Sequence, residues 1–137
     1  MPIEYPIVQT GCDILSADSD TTIETLKRQV QAFCEAREWD QYHDARELAI
    51  SVVLESAELL ELFRFKSPEE VRAMLTMPDN REQVCDELAD VLFSLLRFAQ
   101  LYHIDLSAEF GRKMRKNELK YPVELSRGSN KKYTDLG

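Results

Sequence analysis

Between residues 22 and 120 apolar side chains recur every three to four positions, the period of helices that turn one face to a core. Thr21-Thr22-Ile23-Glu24 fits a capping box, and Ile23, Leu26, Val30, Phe33 and Cys34 follow at helical spacing. A first helix is therefore expected from Thr21 to near Arg37, ahead of a loop holding Trp39. Asp44 with Glu47 marks the start of a second helix, expected to reach about Phe65. Ser67-Pro68-Glu69-Glu70 opens a short third helix, with proline at its first position. Asp79 with Glu82 opens a fourth, to about Tyr102. Asp105 or Ser107 opens a fifth, which must stop near Tyr121 because Pro122 disfavours helix in the residue before it.

The ends of the chain lack this period. Residues 1–19 hold a short β-type patch, Tyr5 to Gln9, and then turn formers; residues 123–137 show no repeat. The expected architecture is all-α and four-helix-bundle-like, with about five helices. It divides into an irregular N-terminal arm (1–20), a helical domain (21–122) and a basic C-terminal tail (123–137).

Two of the helices break the amphipathic rule. From Leu48 to Leu60 the only charged side chains are Glu55 and Glu58, and a helix apolar nearly all round is expected to be buried. In the fourth helix Asp90 is the only charge from Leu88 to Leu96, with Glu87 one turn before it. A spacing of three puts each pair on one helix face. An isolated ExxE or ExxD is common on solvated faces and means little alone. Two such pairs on apolar helices are different, because an unpaired buried carboxylate costs several kcal/mol. Two like charges at about 4 Å repel by roughly 4 kcal/mol even at an effective dielectric near 20. Neither apolar stretch contains a Lys or Arg to compensate. A hard divalent cation does so, and ligands that are all oxygen favour Mg²⁺, with Mn²⁺ as the alternative, over iron or zinc. The Glu-x-x-His pairs of di-iron bundles are absent.

Charge and cysteine content narrow the partners. A net charge of −8 argues against a nucleic-acid surface, which needs clustered Lys and Arg. No run of apolar residues is long enough for a membrane span, and no basic segment leads into an apolar one as in a secretory signal. Cys12, Cys34 and Cys85 are odd in number and scattered, so they read as reduced thiols of a cytoplasmic protein.

The two acidic pairs, taken with their surroundings, resemble the MazG-like all-α nucleotide pyrophosphohydrolases, and most of all their dCTP pyrophosphatase branch. The resemblance is carried by REWDQYHDAREL (37–48), ESAELLELFRFK (55–66), DELADVLFSLL (86–96), KMRKNELKYP (113–122) and VELSRGSNKKYTDL (123–136). It implies Mg²⁺-dependent hydrolysis of a nucleoside triphosphate to the monophosphate and pyrophosphate. The metal would be on Glu55, Glu58, Glu87 and Asp90, which then are also the catalytic groups. Glu61 and Asp86 are further candidates for orienting the attacking water. The resemblance places Trp39, His43 and Phe65 in the base pocket, and Lys113, Asn117 and Tyr121 on the nucleotide. Arg127 and Lys132 of the tail would reach the triphosphate.

It also implies a homodimer or homotetramer with sites near subunit contacts. Two positions depart from the branch: Phe65 stands where Trp is frequent, and Ser94 where an aromatic residue can occur.

Residue type alone leaves plainer roles open. Trp39 and Phe65 would serve as core anchors, His43 as a capping or solvent-facing residue, and Lys113 as a cation near a helix C-terminus. Two rival functions also stand. One is a pyrophosphohydrolase for another nucleotide, such as phosphoribosyl-ATP. The other is a non-enzymatic helical oligomerisation or binding module, whose melting temperature would ignore millimolar Mg²⁺ and EDTA.

Overall fold

The computed structural model describes residues 17–136. The β-type patch Tyr5 to Gln9, Cys12 and most of the expected arm lie outside the described residues; the described end of the arm is a 3-10 turn, Asp18–Asp20. Six α-helices follow: α1 (Ile23–Glu35), α2 (Ala45–Glu61), α3 (Pro68–Thr76), α4 (Pro78–Leu101), α5 (Leu106–Lys120) and α6 (Val123–Ser126). There is no strand among the described residues, so the all-α expectation agrees with the structure. One-turn α6 and a 3-10 turn, Tyr133–Asp135, stand in the tail where no period was visible.

Local capping chemistry sets most helix starts. Asp44 accepts from Glu47 N at 2.8 Å and starts α2. Ser67 and Glu70 make a reciprocal capping box at α3, with Pro68 at the first position. Asp105, rather than Ser107, caps α5. At α1 the cap is one residue later than expected. Thr22, not Thr21, accepts from Thr25 N at 3.1 Å, and the Thr21–Glu24 box does not form.

The ends differ more. α1, α2 and α4 stop at Glu35, Glu61 and Leu101, short of Arg37, Phe65 and Tyr102. Each is followed within a few residues by a non-glycine residue in the left-handed region: Glu38 at φ 53°, Phe65 at φ 60° and His103 at φ 54°. Glycine is the usual residue there because others pay about 1–2 kcal/mol.

The described chain divides into two compact units, one ending at Gln100 and one beginning at Leu101. The first contains α1–α4, and its buried apolar residues are Val30, Cys34, Leu48, Met74, Val84, Leu96 and Ala99. The second contains α5, α6 and the tail, held locally by Tyr121 edge-on to Tyr133 at 6.0 Å and by Lys120 Nζ 4.8 Å from the Tyr133 ring.

One expectation is corrected. In the single chain α2 is not buried all round, and Leu48 is its only buried residue. Ile50, Val53, Leu54 and Leu60 lie exposed along one side, Val53 at 66%. Leu88, Leu92 and Leu95 of α4 are exposed as well. Periodicity reports that a face is apolar; it does not say which chain covers it. Among the described residues no helix is long and apolar enough to cross a membrane.

Candidate metal centre and aromatic cavity

α2 and α4 bring their acidic faces together. Glu55, Glu58 and Glu87 each place a carboxylate oxygen within 4.8 Å of the other two. Asp90 lies outside that triplet but close to it: the Glu55 carboxyl is pushed above its ordinary range by burial first, and then by the charges of Glu58, Asp90 and Glu87. Glu87 is raised in the same way, by burial first and then by Glu58, Asp90 and Asp86. Glu55 and Glu87 are half-buried, while Glu58 and Asp90 are exposed. The carboxylates are thus gathered at the edge of the first unit and not sealed inside it.

These residues fit a divalent cation on two grounds. Glu87 Oε2 is buried and has no hydrogen-bond partner among the described residues, a lone pair that protein structures do not leave empty without cause. The donors are all hard carboxylate oxygens, suited to Mg²⁺. The one buried cation on the same helix, Arg97, is already committed to Asp40, His43 and Gln100.

Beside the cluster is an open cavity of about 550 Å³, lined by Trp39, His43, Phe33, Phe93, Glu55 and Asp90 among others. Its aromatic wall is continuous. Phe33 lies edge-on to Phe93 at 5.7 Å and to Trp39 at 5.6 Å, and Trp39 lies 6.3 Å from His43. Trp39 starts a short 3-10 turn, Trp39–Tyr42, which His43 closes. Ser94 is buried and also lines the cavity.

The remaining expected residues are placed differently. Phe65 is not part of this cavity: it is 91% exposed just beyond α2, with the Arg64 guanidinium 4.5 Å from its ring. Its left-handed backbone turns it out of the helical path. Lys113, Asn117 and Tyr121 follow at intervals of four on one face of α5 and its cap, in the second unit. Arg127 caps α6 and Lys132 precedes the last 3-10 turn; both are exposed. Phe33 and Phe93 of the cavity wall, and the buried Arg97 behind it that bonds His43, are not among the site residues the sequence singles out. Arg97 carried a usable signal, since it is the only charge from Val91 to Tyr102.

Facing acidic pairs on two helices beside an aromatic cavity define the class: an all-helical protein with a candidate cation site. The family model for the MazG-like family matches residues 50–136, and the chain belongs to that family. Mouse dCTP pyrophosphatase 1 is 41% identical over 117 residues, covering 85% of this chain and 69% of the mouse protein. The human protein of that name is 36% identical over 121 residues, covering 88% and 71%. In solved structures, a pyrophosphatase from Archaeoglobus fulgidus superimposes with a TM-score of 0.67 at 38% identity, over 73% of this chain and 92% of that one.

Proposed function

We propose that this protein hydrolyses a nucleoside triphosphate, dCTP or a related deoxynucleotide, between the α- and β-phosphates, releasing the monophosphate and pyrophosphate. The observation that carries the reading is the meeting of an acidic triplet with an aromatic cavity, joined through Glu55 and Asp90, which line the cavity. One region accommodates a flat apolar base and the other a metal-bound polyphosphate. The dCTP pyrophosphatase names of the mouse and human relatives support the choice of substrate.

In this mechanism Trp39, Phe33 and Phe93 hold the base by stacking, worth about 1–3 kcal/mol per base. Glu55, Glu58, Glu87 and Asp90 would hold Mg²⁺ or Mn²⁺, which when bound would supply positive charge against the triphosphate and lower the pKa of a water. A carboxylate of the cluster, or Asp86 beside Glu87, accepts the water's proton as its oxygen bonds to the α-phosphorus and the bond to the bridging oxygen breaks. Glu61 is less suited, since Arg64 pairs with it at 3.2 Å. Lys113, Arg127 and Lys132 are assigned to the phosphates, and Asn117 and Tyr121 to the nucleotide; their motif spacing and the positive charge of three of them support this. The reduced, buried thiol of Cys34 fits a cytoplasmic setting.

We further propose that the active form is a homodimer or homotetramer. The stripe of Ile50, Val53, Leu54 and Leu60 on α2, with a shallow groove of about 350 Å³ at its start, is what a second copy would cover. Phe65, too exposed to belong to its own chain's cavity, is then available to the pocket of a neighbour.

A release assay over canonical and modified nucleoside triphosphates with Mg²⁺ tests the reaction. The expected products are monophosphate and pyrophosphate, with dCTP or a modified cytosine nucleotide among the best substrates. Orthophosphate with a nucleoside diphosphate, or no product from any of them, would refute the reading.

A further inference from the structure

Arg97 is the largest fully buried side chain among the described residues, at 1% exposed. A buried guanidinium must be compensated, and here every face of it is engaged. Nη2 donates to the Asp40 carboxylate, Nη1 to Gln100 Oε1 at 2.5 Å, and Nε to His43 Nδ1 at 3.0 Å. Asp40 and His43 belong to the turn that also carries Trp39. Arg97 therefore ties the base-stacking turn to α4, one turn beyond Phe93 and Ser94.

Charge compensation is met by Asp40, and Gln100 accepts from a second nitrogen. The bond to His43 does something more. A guanidinium N–H can only donate, so His43 Nδ1 must be the acceptor and carries no proton. The imidazole is then neutral, with its proton on Nε2. Since Nδ1 is taken by Arg97, Nε2–H is the ring nitrogen left for whatever enters the cavity that His43 lines.

We propose that Arg97 is a positioning residue for nucleotide recognition: it locks His43 as a neutral Nε2–H donor, so the cavity selects a base presenting a carbonyl oxygen or an unprotonated ring nitrogen at that point. This rests on the nucleotide reading above and adds to it the residue that sets base recognition. The electrostatics agree. Burial first, and then the Arg97 charge, lower the His43 pKa from its ordinary value, outweighing Asp40, which acts in the opposite sense. A neutral imidazole at pH 7 follows.

The test is long-range ¹H–¹⁵N correlation of the histidine rings in the full-length protein at pH 7. The chain has two histidines, so His103→Gln assigns them. The expected spectrum shows His43 Nδ1 unprotonated and Nε2 protonated. In Arg97→Lys, which keeps a cation for Asp40 but loses the planar donor at Nε, the His43 signals move towards a mixture of tautomers. KM for dCTP then rises about tenfold, as for one lost directed hydrogen bond, while kcat stays within about twofold.

A wild type that turns over dCTP with His43 protonated on Nδ1 would overturn the proposal alone. So would an Arg97→Lys protein of lowered melting temperature but unchanged KM and histidine signals, which makes Arg97 a structural brace only. A wild type without nucleotide turnover removes the function reading and this proposal together. The His43 spectrum needs only His103→Gln for its assignment, so it decides the tautomer even if Arg97→Lys fails to fold.

Discussion

Glu58→Gln and Asp90→Asn are expected to lower pyrophosphate release by more than about a hundredfold while leaving the helical circular dichroism unchanged, a loss at least as large as that caused by outer-shell changes around metals. Each substitution is nearly isosteric and removes one negative charge from a group of four. Without a cation the group repels itself, so the same variants should melt at a higher temperature than the metal-free wild type. Mg²⁺ should then stabilise the wild type and not the variants. Inactivity together with higher metal-free stability separates lost ligation from damaged folding.

A pH dependence follows with a definite sign. Glu55 and Glu87 are raised above the ordinary carboxylate value by burial and then by their acidic neighbours. A carboxyl raised in the folded state contributes its full stability below the ordinary value, and the contribution is lost as pH rises through the raised one. The melting temperature of the metal-free wild type should therefore fall relative to that of Glu87→Gln as pH is taken from about 4 to 7. Saturating Mg²⁺ should abolish the difference. A gap that stays constant with pH would exclude this electrostatic account of the cluster.

The second large effect concerns α2. Val53→Arg places a charge in the middle of the exposed apolar stripe. If a second copy covers that stripe, the arginine is desolvated without a partner, at a cost of several kcal/mol. Self-association should weaken by at least about a hundredfold, roughly 3 kcal/mol. Sedimentation should show the wild type as a dimer or tetramer and the variant as a monomer with unchanged helicity. Turnover should fall with association, whereas Mg²⁺ binding at the cluster should persist. A monomeric wild type with full activity would remove the oligomer from the account.

Helix starts were readable because they are local chemistry: Asp44, Ser67 with Glu70, and Asp105 satisfy backbone N–H groups within one turn. Helix ends were not, because Glu38, Phe65 and His103 adopt a conformation that sequence assigns to glycine. The acidic pairs stood out as lone charges in apolar helices, and the same rule extended by a few residues would have found Arg97. Its partners would still have been hidden, since Asp40 and His43 lie 57 and 54 positions away. Burial on α2 departs from the expectation, because an apolar surface in the sequence does not say whether its own chain covers it. Phe33 and Phe93 were invisible as cavity walls for a related reason, because a stripe residue that packs and one that borders a cavity look alike in sequence.

Calorimetric titration of Mg²⁺ into metal-free wild type and Glu87→Gln addresses the central claim most directly. Saturable binding by the wild type that Glu87→Gln loses is the predicted result. A wild type that takes up no Mg²⁺, or a Glu87→Gln protein that binds it equally well, would contradict the proposal that these carboxylates form a cation site.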